Sequence, residues 1–271
     1  MTEYNPNFKY LIYERKGTNG EALWLTMNNP LMKNALNEPM QLELIEALEH
    51  TLNDNSIRCV VLTGSPEGGA FCAGGDISLL NKLNNLDGYD YSYHRGNHIQ
   101  HLFTYMEKPV IAAVNGYCLA GGLELALCAD FIYASEKASF GLMEINLGVL
   151  AGWGGMTRLP RKIPVNRAKE MIYTAELIKP DEALRIGLVN KVFAPDELIP
   201  AVEKAIAAIL SKPPLAVRAA KTVINDGITC DSIQAAQTIE RAMNMWLVNT
   251  EDFKEGTASF LEKRKPEFKG K

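Results

Sequence analysis

The sequence predicts an α/β protein that ends in helix alone, with the division between residues 1–195 and residues 196–271. Three observations carry this. Short apolar runs of strand length, at 57–62 and 110–114, alternate with stretches of helical spacing as far as Pro195. Beyond Pro195 only the helical period remains. The chain also resembles itself: VVLTG…CAGGD and IAAVNG…LAGGLE each run apolar strand, turn, Ala-Gly-Gly, acid, as one unit used twice.

In chain order, residues 8–13 and 22–27 are rich in aliphatic and aromatic side chains and flank Gly17-Thr18-Asn19-Gly20, which predicts a β-hairpin. Asn28-Asn29-Pro30 ends its second strand. From Glu38, apolar residues recur at Met40, Leu44, Ile45, Leu48 and Leu52, the spacing of an amphipathic helix. The strands at 57–62 and 110–114 lead into small-residue loops at 64–75 and 115–122. Strands at 131–134 and 188–193 bracket helices at 165–176 and 180–187. Pro195 opens a helix carrying Leu198, Ile199, Val202, Ile206 and Ile209, and Pro213-Pro214 ends it and starts another. Residues 231–248 place Ile233, Ile239, Met243 and Leu247 on one face, and 251–263 form a last, charged helix. No low-complexity linker separates the two parts, so the helical part is expected to pack on the core or on a partner subunit.

Composition narrows the function. A net charge of −4 argues against a general nucleic-acid or membrane-surface binder. No apolar run reaches the ~18 residues of a membrane-spanning helix. The five cysteines form no Cys-x-x-Cys pair, which suits buried thiols in a reducing compartment. The first residues have the pattern of neither a signal nor a transit peptide. A cytoplasmic protein is expected.

The chemistry concentrates in residues 118–155. Glu124 follows Gly121-Gly122 at a helix start, and Glu144 follows Phe140-Gly141. Paired carboxyls beside turns with free backbone N–H groups can bind an oxyanion and move a proton at one place. The segment after Glu124 looks buried, and Glu144 is flanked by Met143 and Ile145. Burial should push the two carboxyl pKa values apart, so that one holds a proton while the other accepts one.

These motifs, with AFCAGGDI, KPVIAAVNG, ASFGLMEINLG, GGMTRLPR and EGTASFLEKRKPEF in order, make the chain resemble the enoyl-CoA hydratase/isomerase, or crotonase, superfamily over nearly its whole length. The resemblance implies a spiral of β-β-α units with a helical C-terminal region used for oligomerisation and coenzyme A contacts, and trimers, often paired as hexamers. It implies an acyl-CoA thioester substrate and no cofactor, coenzyme A being part of the substrate. The oxyanion donors would be the N–H groups of Gly75 and Gly121, and Glu124 and Glu144 would grip one water and add it syn across the double bond of an enoyl-CoA. Leu31, Met32 and Lys33 match a loop along the nucleotide, with Leu-Met where Lys-Ala is commoner. Ala73, Gly75, Asp76 and Ile77 match the segment against the adenine and pantetheine arm, although Asp76 suits a helix N-cap equally well. Phe260 and Lys263 match residues that reach the nucleotide, often from a neighbouring subunit.

Two features stand apart. His94, His98 and His101 have a spacing that could suit a metal, but the resemblance needs none, and a helix over the acyl pocket with His98 or His101 partly buried is expected. Trp153 replaces a small residue in a Gly-rich loop, where it either lines the acyl pocket or packs in the core. Some relatives with a Trp there decarboxylate branched malonyl-CoA thioesters. Isomerisation or decarboxylation, or acyl-CoA binding without catalysis, are therefore the alternatives to hydration.

Overall fold

A computed structural model describes residues 4–82, 85–89 and 94–271. The chain forms two compact units. One runs from the N-terminal strands to Met106 and continues over Val110–Glu203; the other comprises Glu107–Pro109 and Lys204–Lys271.

The first unit opens with β1 (Leu11–Lys16) and β2 (Ala22–Met27), an antiparallel hairpin with Leu11 opposite Met27. Residues 8–10 of the expected strand lie outside it. Helix α1 (Glu38–Asn53) follows, its N-terminus capped by the Asn37 side chain, which accepts the Met40 N–H at 2.9 Å.

The same pattern then repeats three times: a long strand, a three-residue strand, and helix. β3 (Cys59–Gly64) and β4 (Ala70–Cys72) lead to α2 (Ile77–Leu80), α3 (Asn85–Tyr89) and α4 (Gly96–Tyr105). β5 (Val110–Val114) and β6 (Tyr117–Leu119) lead to α5 (Gly121–Ala126). β7 (Phe131–Ser135) and β8 (Ser139–Gly141) lead to α6 (Gly155–Lys162), α7 (Val165–Thr174) and α8 (Pro180–Arg185), and β9 (Lys191–Phe193) closes the series. The long strands, with the three-residue β9 at one edge, form a six-stranded sheet in the order β1-β2-β3-β5-β7-β9, and the other short ones a second sheet, β4-β6-β8. Every pairing after the hairpin is parallel. This is the expected β-β-α spiral.

β3 and β5 are buried at every position because both faces of a parallel sheet are covered, which is why their sequences run apolar without alternation. The likeness between two segments extends to a third, FIYASEKASFG, whose weaker sequence match hides it. The three-residue strands β4 and β6 fall inside stretches expected as loops, because three residues carry no period, and of the strand expected at 188–193 only 191–193 forms. Helix α6 is not among the expected helices; it holds Pro160 in its interior.

Asn34 pins two loops of this unit. It is fully buried at φ 57°, a left-handed conformation that Asn tolerates better than most residues. Its Nδ2 donates to the carbonyls of Ser65 (3.1 Å) and Ala70 (2.7 Å), and its Oδ1 accepts the Asn29 N–H and the Ser65 hydroxyl, both at 3.0 Å. The loop after β2 is thereby fastened to the loop between β3 and β4.

The second unit takes the C-terminal end of α9 (Leu198–Leu210), then α10 (Pro214–Gly227), α11 (Ile233–Leu247) and α12 (Glu251–Glu262). Within it the half-buried Ile239, Met243 and Leu247 stripe α11, which pairs with α10. The buried carboxylate of Asp252 accepts the N–H groups of Lys269 (2.7 Å) and Gly270 (2.9 Å), fastening the last residues to α12. Among the described residues no helix is long and apolar enough to cross a membrane.

Replacing Asn34 by Ala leaves the Asn29 N–H and two carbonyls without their buried partner. Asn34→Ala is expected to lower stability by about 2–4 kcal/mol in chemical denaturation. A change under about 0.5 kcal/mol would show that the loops hold without the clasp.

Candidate active site

The site begins where two turns of the spiral touch. A Cβ at Gly122 would overlap the carbonyl oxygen of Cys72, so only glycine lets the first turn of α5 sit on the end of β4. Ala120, just before α5, has φ 50° and ψ −126°, a sparsely populated backbone for a residue with a side chain. Its N–H is tied to the Gly141 carbonyl at 2.9 Å. This turn sets Gly121 beside Gly75: a Cβ built on Gly121 would lie 3.7 Å from the Gly75 nitrogen. Gly75 is itself aligned by the Leu36 N–H, which donates to the Gly74 carbonyl at 2.8 Å. Among the described residues neither the Gly75 nor the Gly121 N–H has a protein acceptor.

Glu124 is one turn further along α5 and is 3% exposed. Its Oε1 accepts two main-chain N–H groups, from Trp153 and from Gly155, each at 2.7 Å. Both bonds fall on one oxygen. Glu144 opens a 3-10 turn, Glu144–Leu147, and is half-buried; its Oε2 is buried and has no hydrogen-bond partner among the described residues.

Burial pushes the Glu124 carboxyl up to about 7. The Gly155 N–H pulls it down, the Glu144 charge adds to the rise, and the Trp153 N–H pulls it down again. Burial also raises Glu144, against the N–H groups of Glu144 and Met143. The two carboxyls therefore do not move in opposite directions; desolvation acts on both and outweighs the rest. The nearby thiol of Cys72 is pushed up to about 12 by burial, so it stays a neutral packing group.

A cleft of about 620 Å³ gathers Ala73, Gly75, Ile77, Gly121, Glu124, Glu144 and Trp153. It also takes in Leu36, Met143, Leu147, Val149 and Leu150, which the sequence pattern does not single out, and Asn81, Asn85 and Gly88 from the stretch after Asp76. Residues 83, 84 and 90–93 of that stretch lie outside the described residues. Gly155 as a donor to Glu124 is likewise absent from the sequence expectations. Its signal is the Gly152-Trp153-Gly154-Gly155 run, in which Gly154 takes φ 91°.

Leu31, Met32, Lys33 and Asp76 are not in the lining. Leu31 is 96% exposed, and the Lys33 ammonium lies 5.0 Å from the centre of the Tyr117 ring. Asp76 caps α2, accepting the Ser78 N–H at 2.9 Å and hydroxyl at 2.7 Å. Phe260 and Lys263 belong to the second unit, both exposed, with Lys263 the left-handed residue that ends α12.

Trp153 is 6% exposed within the core and is also one of the residues that line the cleft. The expectation that His98 or His101 is partly buried is corrected. α4 turns Ile99, Leu102 and Phe103 inward and leaves both histidines exposed, His98 2.9 Å from a Glu49 oxygen and His101 against Tyr105. Among the described residues no three His, Cys, Asp or Glu side chains gather as a metal site.

The raised Glu124 pKa has a consequence for stability. A carboxyl raised on folding favours the fold below its unfolded pKa near 4.5, and that contribution is lost as pH rises through about 7. Glu124→Gln is therefore expected to raise the melting temperature at pH 8, where ionised Glu124 costs on the order of 3 kcal/mol, and to leave it nearly unchanged at pH 4.5. Equal effects at both pH values would contradict burial as the cause.

Against known proteins, the enoyl-CoA hydratase/isomerase family model matches residues 17–271. The crotonyl-CoA hydratase of Syntrophomonas wolfei is 44% identical over 244 residues, 90% of this chain and 93% of that protein. The short-chain-enoyl-CoA hydratase of Clostridium acetobutylicum is 41% identical over 248 residues, 92% and 94% of the two chains. The crystal structure of an enoyl-CoA hydratase from Bacillus anthracis gives a TM-score of 0.92 at 34% identity, covering 97% of this chain and 100% of that one. With the spiral, the cleft and the match over nearly the full length all in agreement, this chain belongs to the enoyl-CoA hydratase/isomerase family.

Proposed function

We propose that this protein is an enoyl-CoA hydratase, a lyase that adds water syn across the 2,3 double bond of an enoyl-CoA thioester. The observation that carries this reading is one cleft holding a buried and a half-buried carboxyl beside two glycine N–H groups that have no protein acceptor among the described residues.

The Gly75 and Gly121 N–H groups hold the thioester oxygen, and their hold strengthens as that oxygen gains negative charge. Glu124 is fixed through Oε1, so Oε2 can orient a water and take its proton as the oxygen bonds to the β-carbon. Glu144 gives a proton to the α-carbon from the side of its unpartnered oxygen. The proton gained at Glu124 then returns to Glu144 through solvent, which restores the pair. Hydration, unlike isomerisation or decarboxylation, calls on both carboxyls.

Coenzyme A enters as part of the substrate, and the chemistry uses no cofactor and no metal. The exposed Leu31 and Met32 with Lys33 suit the nucleotide, Ala73, Asp76 and Ile77 the pantetheine arm, and Phe260 and Lys263 the nucleotide of a neighbouring copy. The helical C-terminal residues would then serve a homotrimer or a homohexamer. Residues 1–195 would carry the catalytic core and 196–271 this assembly role, in the cytoplasm.

Loss of conjugated enoyl-thioester absorbance without CO2 release is the expected assay result; CO2 release would point to decarboxylation instead. Glu124→Gln and Glu144→Gln are each expected to lower kcat by about 10²–10⁴-fold with little change in substrate affinity. Near-normal hydration by either variant would remove that residue from the mechanism. The pH profile of kcat/KM should be bell-shaped. Its alkaline limb lies near 7, where the pair loses the one proton it shares, and its acid limb lies above the ordinary carboxyl value of 4.5, where the pair takes up a second. A flat profile from pH 5 to 8 would contradict the shared-proton pair.

A further inference from the structure

Trp153 acts in two places at once. Its main-chain N–H holds Glu124, and the residue lines the cleft. The ring also lies hard against Gly96, the first residue of α4: a Cβ there would overlap indole Nε1. The indole is thus packed on a helix backbone that is already in contact with it, and it has no room to withdraw further towards α4. We propose that Trp153, backed by Gly96, is the end wall of the acyl pocket and makes the enzyme selective for short enoyl thioesters.

This rests on the hydratase reading of the cleft, which sets the direction of the acyl chain. The carbonyl oxygen sits at Gly75 and Gly121, the β-carbon at Glu124, and the remaining carbons run on beyond Glu124. Trp153 lines the same cleft as that carboxylate, which its main-chain N–H holds, so the residue stands where the tail passes. Leu147, Val149 and Leu150 supply apolar lining, so a short tail is well desolvated. A longer tail has to displace a large aromatic that is 6% exposed, at the cost of its packing on α4. Asn81, Asn85 and Gly88 also line the cleft, and a tail directed along them is the competing reading.

The test uses the full chain and two kinds of measurement. Calorimetry gives the affinity for saturated four-carbon and eight-carbon acyl-CoA, which needs no turnover, and kcat/KM is taken for the matching 2-enoyl-CoA thioesters. The unaltered protein is expected to favour the four-carbon enoyl thioester by about tenfold or more in kcat/KM. Trp153→Ala should move both ratios towards the eight-carbon ligand by about tenfold, and Trp153→Phe, which keeps an aromatic ring and guards against misfolding, by less. Gly96→Ala should push the indole inward and shift the ratios further towards four carbons, and should do so only while Trp153 is present. Unchanged ratios in both Trp153 variants, or a Gly96→Ala effect that persists in Trp153→Ala, would overturn the proposal in favour of the other path. If the binding ratio follows Trp153 while no thioester is hydrated, the wall stands and the hydratase reading falls. Hydration with a binding ratio indifferent to Trp153 would overturn the wall and leave the hydratase reading in place.

Discussion

The site depends on one close approach, that of Gly122 to the carbonyl of Cys72. Parallel pairing holds β4 and β6 side by side in the small sheet, so the loops that leave them emerge next to each other. Only a residue without a side chain lets the second loop close on the first. Once it does, Gly75 and Gly121 are neighbours, and Ala120 is held in its unusual backbone geometry by Gly141 on the third turn of the spiral. Each of the three turns thus contributes to one small volume: the first gives Gly75, the second Gly121 and Glu124, and the third Glu144 and the loop that holds Glu124.

A second constraint is electrostatic. A carboxylate that is 3% exposed is costly, and the Trp153 and Gly155 N–H groups offset part of that cost without removing it. The shortfall is what leaves Glu124 with a pKa of about 7. A fully satisfied carboxylate would be a weak base and a poor partner in proton transfer. Asn34 is the contrast within the same unit: equally buried, it spends both of its side-chain polar atoms on the two loops it joins, and so serves the fold alone.

Much of this is legible in the sequence. Strands β3 and β5 show as unbroken apolar runs, and most of the helices by spacing. The pair Glu124 and Glu144 stands out because each follows a glycine turn in an apolar setting. What the sequence hides is short or indirect. β4, β6 and β8 have three residues each, too few for a period, and their pairing is set by the spiral rather than by their own side chains. The hold of Trp153 and Gly155 on Glu124 is made by main-chain atoms, on which side-chain patterns are silent. His98 and His101 mislead because an i, i+3 spacing puts residues on one face without saying which face is inward.

The small sheet has a kinetic side. β4 meets β6, and β6 meets β8, only after the chain has completed a turn of the spiral, so each pairing closes a long loop before any contact repays it. The hairpin and the helices can form from local contacts; the approach of Gly121 to Gly75 cannot. A partly folded chain therefore has its carboxyls without the paired glycine N–H groups beside them. Whatever ligand the cleft takes binds the finished fold alone, and by mass action it draws late intermediates forward and protects the completed molecule from unfolding.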